Sequence, residues 1–166
     1  MDASFIHLHC HTEFSLLEGA IKIKDLLHKV KTENMGRVAI TDNGCMYGAI
    51  DFYVRMKEEG LNPIMGAELY VVENRFEKDR DFTRLILLAK SQKGYRNLIK
   101  LVSIGHLEGF YYRPRIDFEC LEKYAEGLIA ISPLSRGLIA EHIRGNRLES
   151  AREYEQNYAQ LFENDF

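Results

Sequence analysis

Ile6-His7-Leu8-His9-Cys10-His11-Thr12 sets three imidazoles on alternate residues. In extended backbone successive side chains point to opposite faces. His7, His9 and His11 therefore share one face, and Leu8 and Cys10 take the other. Imidazole is the commonest metal ligand among side chains, and a spacing of two on a strand suits joint coordination of one ion. The chain has six histidines, and half of them fall within these residues. A strand over residues 4–12 is expected to open the domain and to carry a metal site.

Working outward, apolar residues switch between periods of 3.6 and 2. Ile23, Leu26, Leu27 and Val30 form the stripe of a helix over 22–33, with Met35-Gly36 as its stop. Arg37 to Thr41 is a short apolar strand that ends in the turn signal Asp42-Asn43-Gly44. A second helix is expected over 47–59, and a third strand over 63–72 with Glu68 in its middle. Residues 73–81 are highly charged and read as a surface turn or hairpin. Leu85 to Ala89 is a fourth strand and 94–104 a helix, followed by an aromatic and basic loop over 109–116. A short helix near 118–125 precedes a fifth strand at 128–131. Helices near 136–143 and 147–162 complete the pattern. Apolar strands alternating with helices predict an α/β fold with parallel strands covered by helices.

Composition narrows the function. The 166 residues suffice for one domain or a large part of one, with 46% hydrophobic and 28% charged residues. A net charge of −3 gives no global basic field for nucleic acid or anionic lipid. Cys10, Cys45 and Cys120 are odd in number and form no CxxC pair, so neither a disulfide framework nor a zinc ribbon is indicated. A reducing cytoplasm is the expected location. No apolar run approaches the roughly 18 residues of a membrane span, and no signal peptide is evident. The last residues, Phe162 to Phe166, look like the approach to a further strand, so a longer polypeptide is expected.

In a parallel α/β fold, ligands gather at the C-terminal ends of the strands. His9, His11 and Thr12 lie at that edge, as do Thr41, Asp42 and Asn43, with Glu68 on the third strand. Imidazoles with carboxylates suit zinc, manganese or iron, and such ions can activate water and clamp a phosphate. Blander readings compete. Asp42-Asn43-Gly44 alone is more often a turn, and Glu68 could serve a structural ion pair, although a carboxylate inside an apolar strand needs a partner. His28, His106 and His142 read as surface or helix-end residues. Tyr112, Arg113 and Arg115 could hold a nucleic-acid strand, but such loops more often pack against a neighbouring domain.

These residues resemble the PHP (polymerase and histidinol phosphatase) domain that opens bacterial replicative DNA polymerase III alpha subunits. The resemblance rests on His7 to Ala20, Ala39-Ile40-Thr41-Asp42-Asn43-Gly44, Tyr47 to Tyr53 and Pro63-Ile64-Met65-Gly66-Ala67-Glu68. It continues through Leu87-Leu88-Ala89-Lys90, Gly94 to Leu98, Gly109 to Tyr112, Pro114 to Asp117 and Glu126 to Ala130. It implies a distorted TIM-like (β/α)7 barrel. Since a TIM barrel takes about 250 residues, residues 1–166 would be the N-terminal part of the domain, with the barrel incomplete.

The resemblance also implies a metal site at His9, His11 and Glu68, with weaker contributions from His7, Glu18 and Asp42. Zinc or manganese is the implied ion. Asn43 and Arg84 stand where the family usually has histidines, Leu134 where it often has a cysteine, and Glu18 where an Asp is usual. The site is therefore expected to be eroded and the segment to be structural, with Arg84 standing in for part of an ion's charge. No catalytic residue is expected within it. The implied whole protein is a Mg-dependent DNA polymerase, and the implied partners are the rest of the alpha subunit, a proofreading exonuclease subunit and the replisome. A metal-dependent phosphoesterase or 3′–5′ exonuclease is the alternative, and a metal-free interaction module the third reading.

Overall fold

The computed structural model describes residues 5–166. Helix α1 spans Ile23–Thr32 and buries the predicted stripe of Ile23, Leu26, Leu27 and Val30. It stops four residues before Gly36, because Asn34 takes a left-handed conformation (φ 54°) just past its end. Strand β1 is Arg37–Ile40, helix α2 Ala49–Glu58, strand β2 Asn62–Val71 and strand β3 Thr83–Ala89. Helix α3, Gln92–Leu107, is longer than its pattern predicts. Ser91 caps it by accepting from Gly94 N, and Gly94 lies so close to Gly127 O that a Cβ there would collide. Strands β4 (Phe110–Tyr111) and β5 (Arg113–Ile116), helix α4 (Phe118–Tyr124) and strand β6 (Leu128–Ile131) follow. Helices α5 (Leu138–Arg144) and α6 (Leu148–Phe162) come last, ahead of a short 3-10 turn. Among the described residues no helix is long and apolar enough to cross a membrane.

The strands run in the order β4-β5-β2-β3-β6, with β1 also on β2. β2 pairs in parallel with β1 through residues 62–65 and with β5 through Tyr70 and Val71. The sheet is mixed, however. β3 runs antiparallel to both β2 and β6, and β4 antiparallel to β5. The reason lies in the connections: the charged segment between β2 and β3 contains no helix to carry the chain back across the sheet, so β3 returns alongside β2. The 109–116 stretch, expected as a loop, is the β4–β5 hairpin, with Tyr112 at its tip in a left-handed conformation (φ 59°).

Period-two alternation divides the sheet into two faces. Ala67, Leu69, Val71, Leu85 and Leu87 pack with Leu98 and Leu101 of α3, Leu121 of α4 and Tyr158 and Phe162 of α6. Val38 and Ile40 of β1 pack with α1, Phe52 and Met56. The opposite face carries Ala39, Ile86 and Leu88, with Ile64, Ile129 and Ile131 beside them. Glu68, Tyr70 and Arg84 belong to this second face, because Glu68 pairs with Ile86 and Tyr70 with Arg84.

Two expectations need correcting here. Residues 5–11 are not a ladder strand, and residue 4 lies outside the described residues. The segment runs beside β1, held by Ala39 N donating to His7 O (2.9 Å) and Thr41 N to Cys10 O (2.8 Å). Cys10 N donates to the Thr41 hydroxyl instead of to a carbonyl, which interrupts the ladder. Arg115 is no surface contact: it is 2% exposed. Its guanidinium donates to the carbonyls of Gly109, Asp79, Arg75 and Glu77 and thereby fastens the charged 73–81 segment.

Candidate metal centre

Glu68 reaches the site from the middle of β2 and is buried. Asn43, just past β1, pairs with Glu68 through a β-bridge, and Gly44 N donates to Glu68 O. The end of β1 is thereby fixed against the carboxylate. From the segment alongside, His11 Nε2 lies 3.0 Å from Glu68 Oε2 and His9 Nε2 lies 3.5 Å from Oε1. The two Nε2 atoms are 3.1 Å apart. Donor atoms of His9, His11 and Glu68 lie within 4.8 Å of one another. Two imidazole nitrogens and a carboxylate oxygen suit zinc or manganese and leave coordination positions open for water or substrate. A cleft of about 540 Å³ borders His7, His9, His11 and Glu18.

Burial alone would push the Glu68 carboxyl up. Hydrogen bonds from His11 and His9 and the charge of Arg84 outweigh it and hold the group down at about 2. Arg84 comes from β3 on the same face. Its Nη1 donates to Glu68 Oε2 and its Nη2 to Glu18 Oε2, both at 3.0 Å. A guanidinium thus bridges two carboxylates and shares Glu68 Oε2 with His11.

The remaining sequence candidates go elsewhere. His7 packs edge-on against Phe5, with ring centroids 4.8 Å apart, and does not join the three-residue cluster. Asp42 is buried and accepts from Thr12 N, the Thr12 hydroxyl and the Ser15 hydroxyl, which braces the turn after β1. Glu18 is held by Arg84, Asn43 and Arg113, the last at 2.9 Å. Leu134 is 84% exposed. Tyr112 is exposed, with the Arg80 guanidinium 4.1 Å over its ring. The sequence reading missed Tyr70, whose ring has Arg84 and Arg113 each at 5.5 Å. Its place two residues beyond Glu68 was the available signal. Nothing local announced that Arg113 would pair with Glu18, since that contact joins residues 95 positions apart.

The model of the PHP domain matches residues 7–166. The chain belongs to the PHP domain family. The PHP chain is also similar to proteins named DNA polymerase III subunit alpha. It is 49% identical to that of Borreliella burgdorferi over 168 residues, covering 98% of this chain and 15% of the relative. With the Aquifex aeolicus protein it shares 41% identity over 176 residues (99% of this chain, 15% of the relative). With the Helicobacter pylori 26695 protein it shares 44% over 176 residues (98% and 14%). The chain thus spans about 15% of the length of the curated relatives it matches.

Proposed function

We propose that this chain is the N-terminal PHP portion of a bacterial DNA polymerase III alpha subunit, comprising the first part of an incomplete barrel. The whole subunit would extend a primer during chromosome replication with Mg²⁺ bound outside residues 1–166. The segment's own role is structural, built around a reduced metal site. One zinc or manganese ion fits His9, His11 and Glu68, whose donors already converge. Lewis-acid chemistry toward a phosphate ester is what such an ion would supply. Glu18 and Asp42 are committed to Arg84, Arg113 and the Thr12–Ser15 turn, so they add little to the ion.

The observation that carries this reading is the Arg84 bridge between Glu68 and Glu18. A fixed positive charge joins carboxylates that would otherwise need a cation. The partners of this reading are the rest of the alpha subunit, the proofreading exonuclease subunit and the replisome, in the cytoplasm. DNA is met through the polymerase, with exposed Tyr112 and Arg113 available as an interdomain or nucleic-acid contact. In a full-length alpha subunit, Arg84→Ala should lower the melting temperature and shorten the lifetime of primer-extension activity on heating, without abolishing it at low temperature. Unchanged heat tolerance contradicts the structural role.

A phosphoesterase or 3′–5′ exonuclease is favoured by one observation, the His9–His11–Glu68 convergence at the border of an open cleft. Hydrolysis of nitrophenyl phosphate or single-stranded DNA with Mn²⁺ or Zn²⁺, lost in His9→Ala/His11→Ala, would establish it.

A further inference from the structure

His106 stands in the last turn of α3, away from the imidazole cluster. Its sequence context reads as a surface or helix-end position, yet the residue is half-buried and its Nε2 lies 2.9 Å from Gly44 O. A carbonyl can only accept, so Nε2 carries the proton and donates. Two rings flank the imidazole. Phe110 lies near-parallel to it (24°, centroids 6.2 Å apart) and Tyr47 is tilted at 6.4 Å.

Pro114 of β5 brings helix and turn within reach of each other. Gly105 packs on it so closely that an added Cβ would sit 3.2 Å from Pro114 C. Gly44 meets the same proline. It has φ 61°, and a Cβ there would lie 2.6 Å from Pro114 Cγ and 3.0 Å from Tyr70 Cε2. The imidazole of His106 then spans from the helix to the turn.

Glu68 hangs on this turn. Its N–H donates to Asp42 O at 3.1 Å, and its carbonyl accepts from Gly44 N at 2.8 Å. The single N–H of Glu68 is thus spent on the turn and not on β3, its antiparallel neighbour. The histidine segment is held by the same stretch: Thr41 N donates to Cys10 O at 2.8 Å, and Asp42 Oδ1 accepts from Thr12 N at 2.6 Å. Residues 41–44 are therefore the common support of His9, His11 and Glu68, and His106 ties that support to α3.

We propose that His106 is a positioning residue for the metal centre. Through Gly44 it fixes the main chain that carries Glu68 relative to the two imidazoles, and it touches no ion itself. The inference rests on the reading of His9, His11 and Glu68 as metal ligands.

The test is Zn²⁺ affinity by competition with a chromophoric chelator, together with amide exchange at Gly44 and Glu68 in EDTA. Losing an outer partner of a ligand costs about 10–100-fold in metal affinity. His106 acts one peptide further out, so His106→Ala should weaken Zn²⁺ binding by about fivefold to tenfold and speed exchange at both amides. His106→Phe keeps a ring beside Tyr47 and Phe110 but has no donor; it should show the same loss and covers a fold failure in the alanine variant. His106→Gln, whose amide can donate to the same carbonyl, should restore affinity to within about twofold of the unmodified chain. His142→Ala, at the end of α5 and bonded to Arg147, should change neither readout. Unchanged Zn²⁺ affinity in a folded His106→Ala or His106→Phe chain, no rescue by glutamine, or an equal loss in His142→Ala overturns the proposal. Failure of the unmodified chain to bind Zn²⁺, or binding that survives His9→Ala/His11→Ala, overturns the metal reading itself and the positioning role with it, even where exchange shows the Gly44 anchor.

Discussion

Arg84 and Glu68 illustrate how one residue can alter the economy of a site. Glu68 is buried on the sheet face that holds the imidazoles, and a lone carboxylate there would be costly. Arg84 neutralises it while also holding Glu18. Breaking a buried pair by removing one partner costs about 3–5 kcal/mol, whereas an exposed i,i+4 pair is worth about 0.3–0.5 kcal/mol. Arg84→Ala should therefore destabilise the chain by about 2–4 kcal/mol, somewhat below the fully buried range because Arg84 is partly exposed. Arg55→Ala, which removes an exposed helical pair with Asp51, should cost under about 1 kcal/mol. Urea denaturation of both variants checks this, and equal losses would contradict it. Zn²⁺ should recover part of the Arg84→Ala loss by supplying the missing positive charge to Glu68. At this scale the nearness of His9, His11 and Glu68 was foreshadowed by local signals, a cluster of histidines and an isolated carboxylate, while strand alternation also placed His7 with them and His7 packs on Phe5 instead. The positions of Glu18 and Asp42 were not legible. Which partner a carboxylate takes depends on strands that meet only in the folded chain.

Elements supply the frame. Asp117 caps α4 by accepting from Cys120 N and pairs with Arg75 at 2.8 Å. Burial would push the Asp117 carboxyl up from its ordinary value of 3.8, but bonds from Arg75 and Cys120 outweigh this and hold it below. A depressed folded value means that the unfolded chain takes up the proton first as pH falls. The stabilisation from this group is fully present above about pH 4 and is lost as pH drops through the folded value. Asp117→Asn should cost stability at pH 6, with the deficit shrinking toward pH 3. A deficit that stays constant across that range would contradict the assignment. Arg115 acts on a larger piece of chain. Its four carbonyl bonds tie the 73–81 segment to the hairpin, so Arg115→Met should speed amide exchange across residues 73–81 more than across β2. Uniform exchange would argue against it. The helices were legible from their stripes, and α1 appears with its four predicted buried residues. The antiparallel course of β3 was not, since an apolar run of Leu and Ile reads alike in either direction. The hairpin at 110–116 was hidden by Pro114, which favours a loop reading although it sits in a short outer pairing of the sheet.

At the scale of the molecule, β2 is the shared member. Its first residues pair with β1 above the core of α1 and α2, and its later ones pair with β3 and β5 above the core of α3, α4 and α6. One continuous strand spanning both cores predicts a single cooperative transition. Phe52→Ala and Leu87→Ala lie in different cores and are each fully buried. They should lower the same melting transition, by about 3–5 and 2–5 kcal/mol respectively. Two separable transitions in calorimetry would show the halves to be independent. The α/β class was legible because it depends on periodicities that add along the chain. The site was legible only in part, because its architecture lies in cross-strand pairs such as Tyr70 with Arg84 and in the long-range pairing of Arg113 with Glu18.

One ion at His9, His11 and Glu68, with Arg84 in the place of further cations, is the core of the proposed function. Metal analysis after equilibration with Zn²⁺ and gel filtration tests it most directly. One equivalent per chain is expected, falling to background in His9→Ala/His11→Ala. Two or more tightly held equivalents, or one that survives the double substitution, would contradict it.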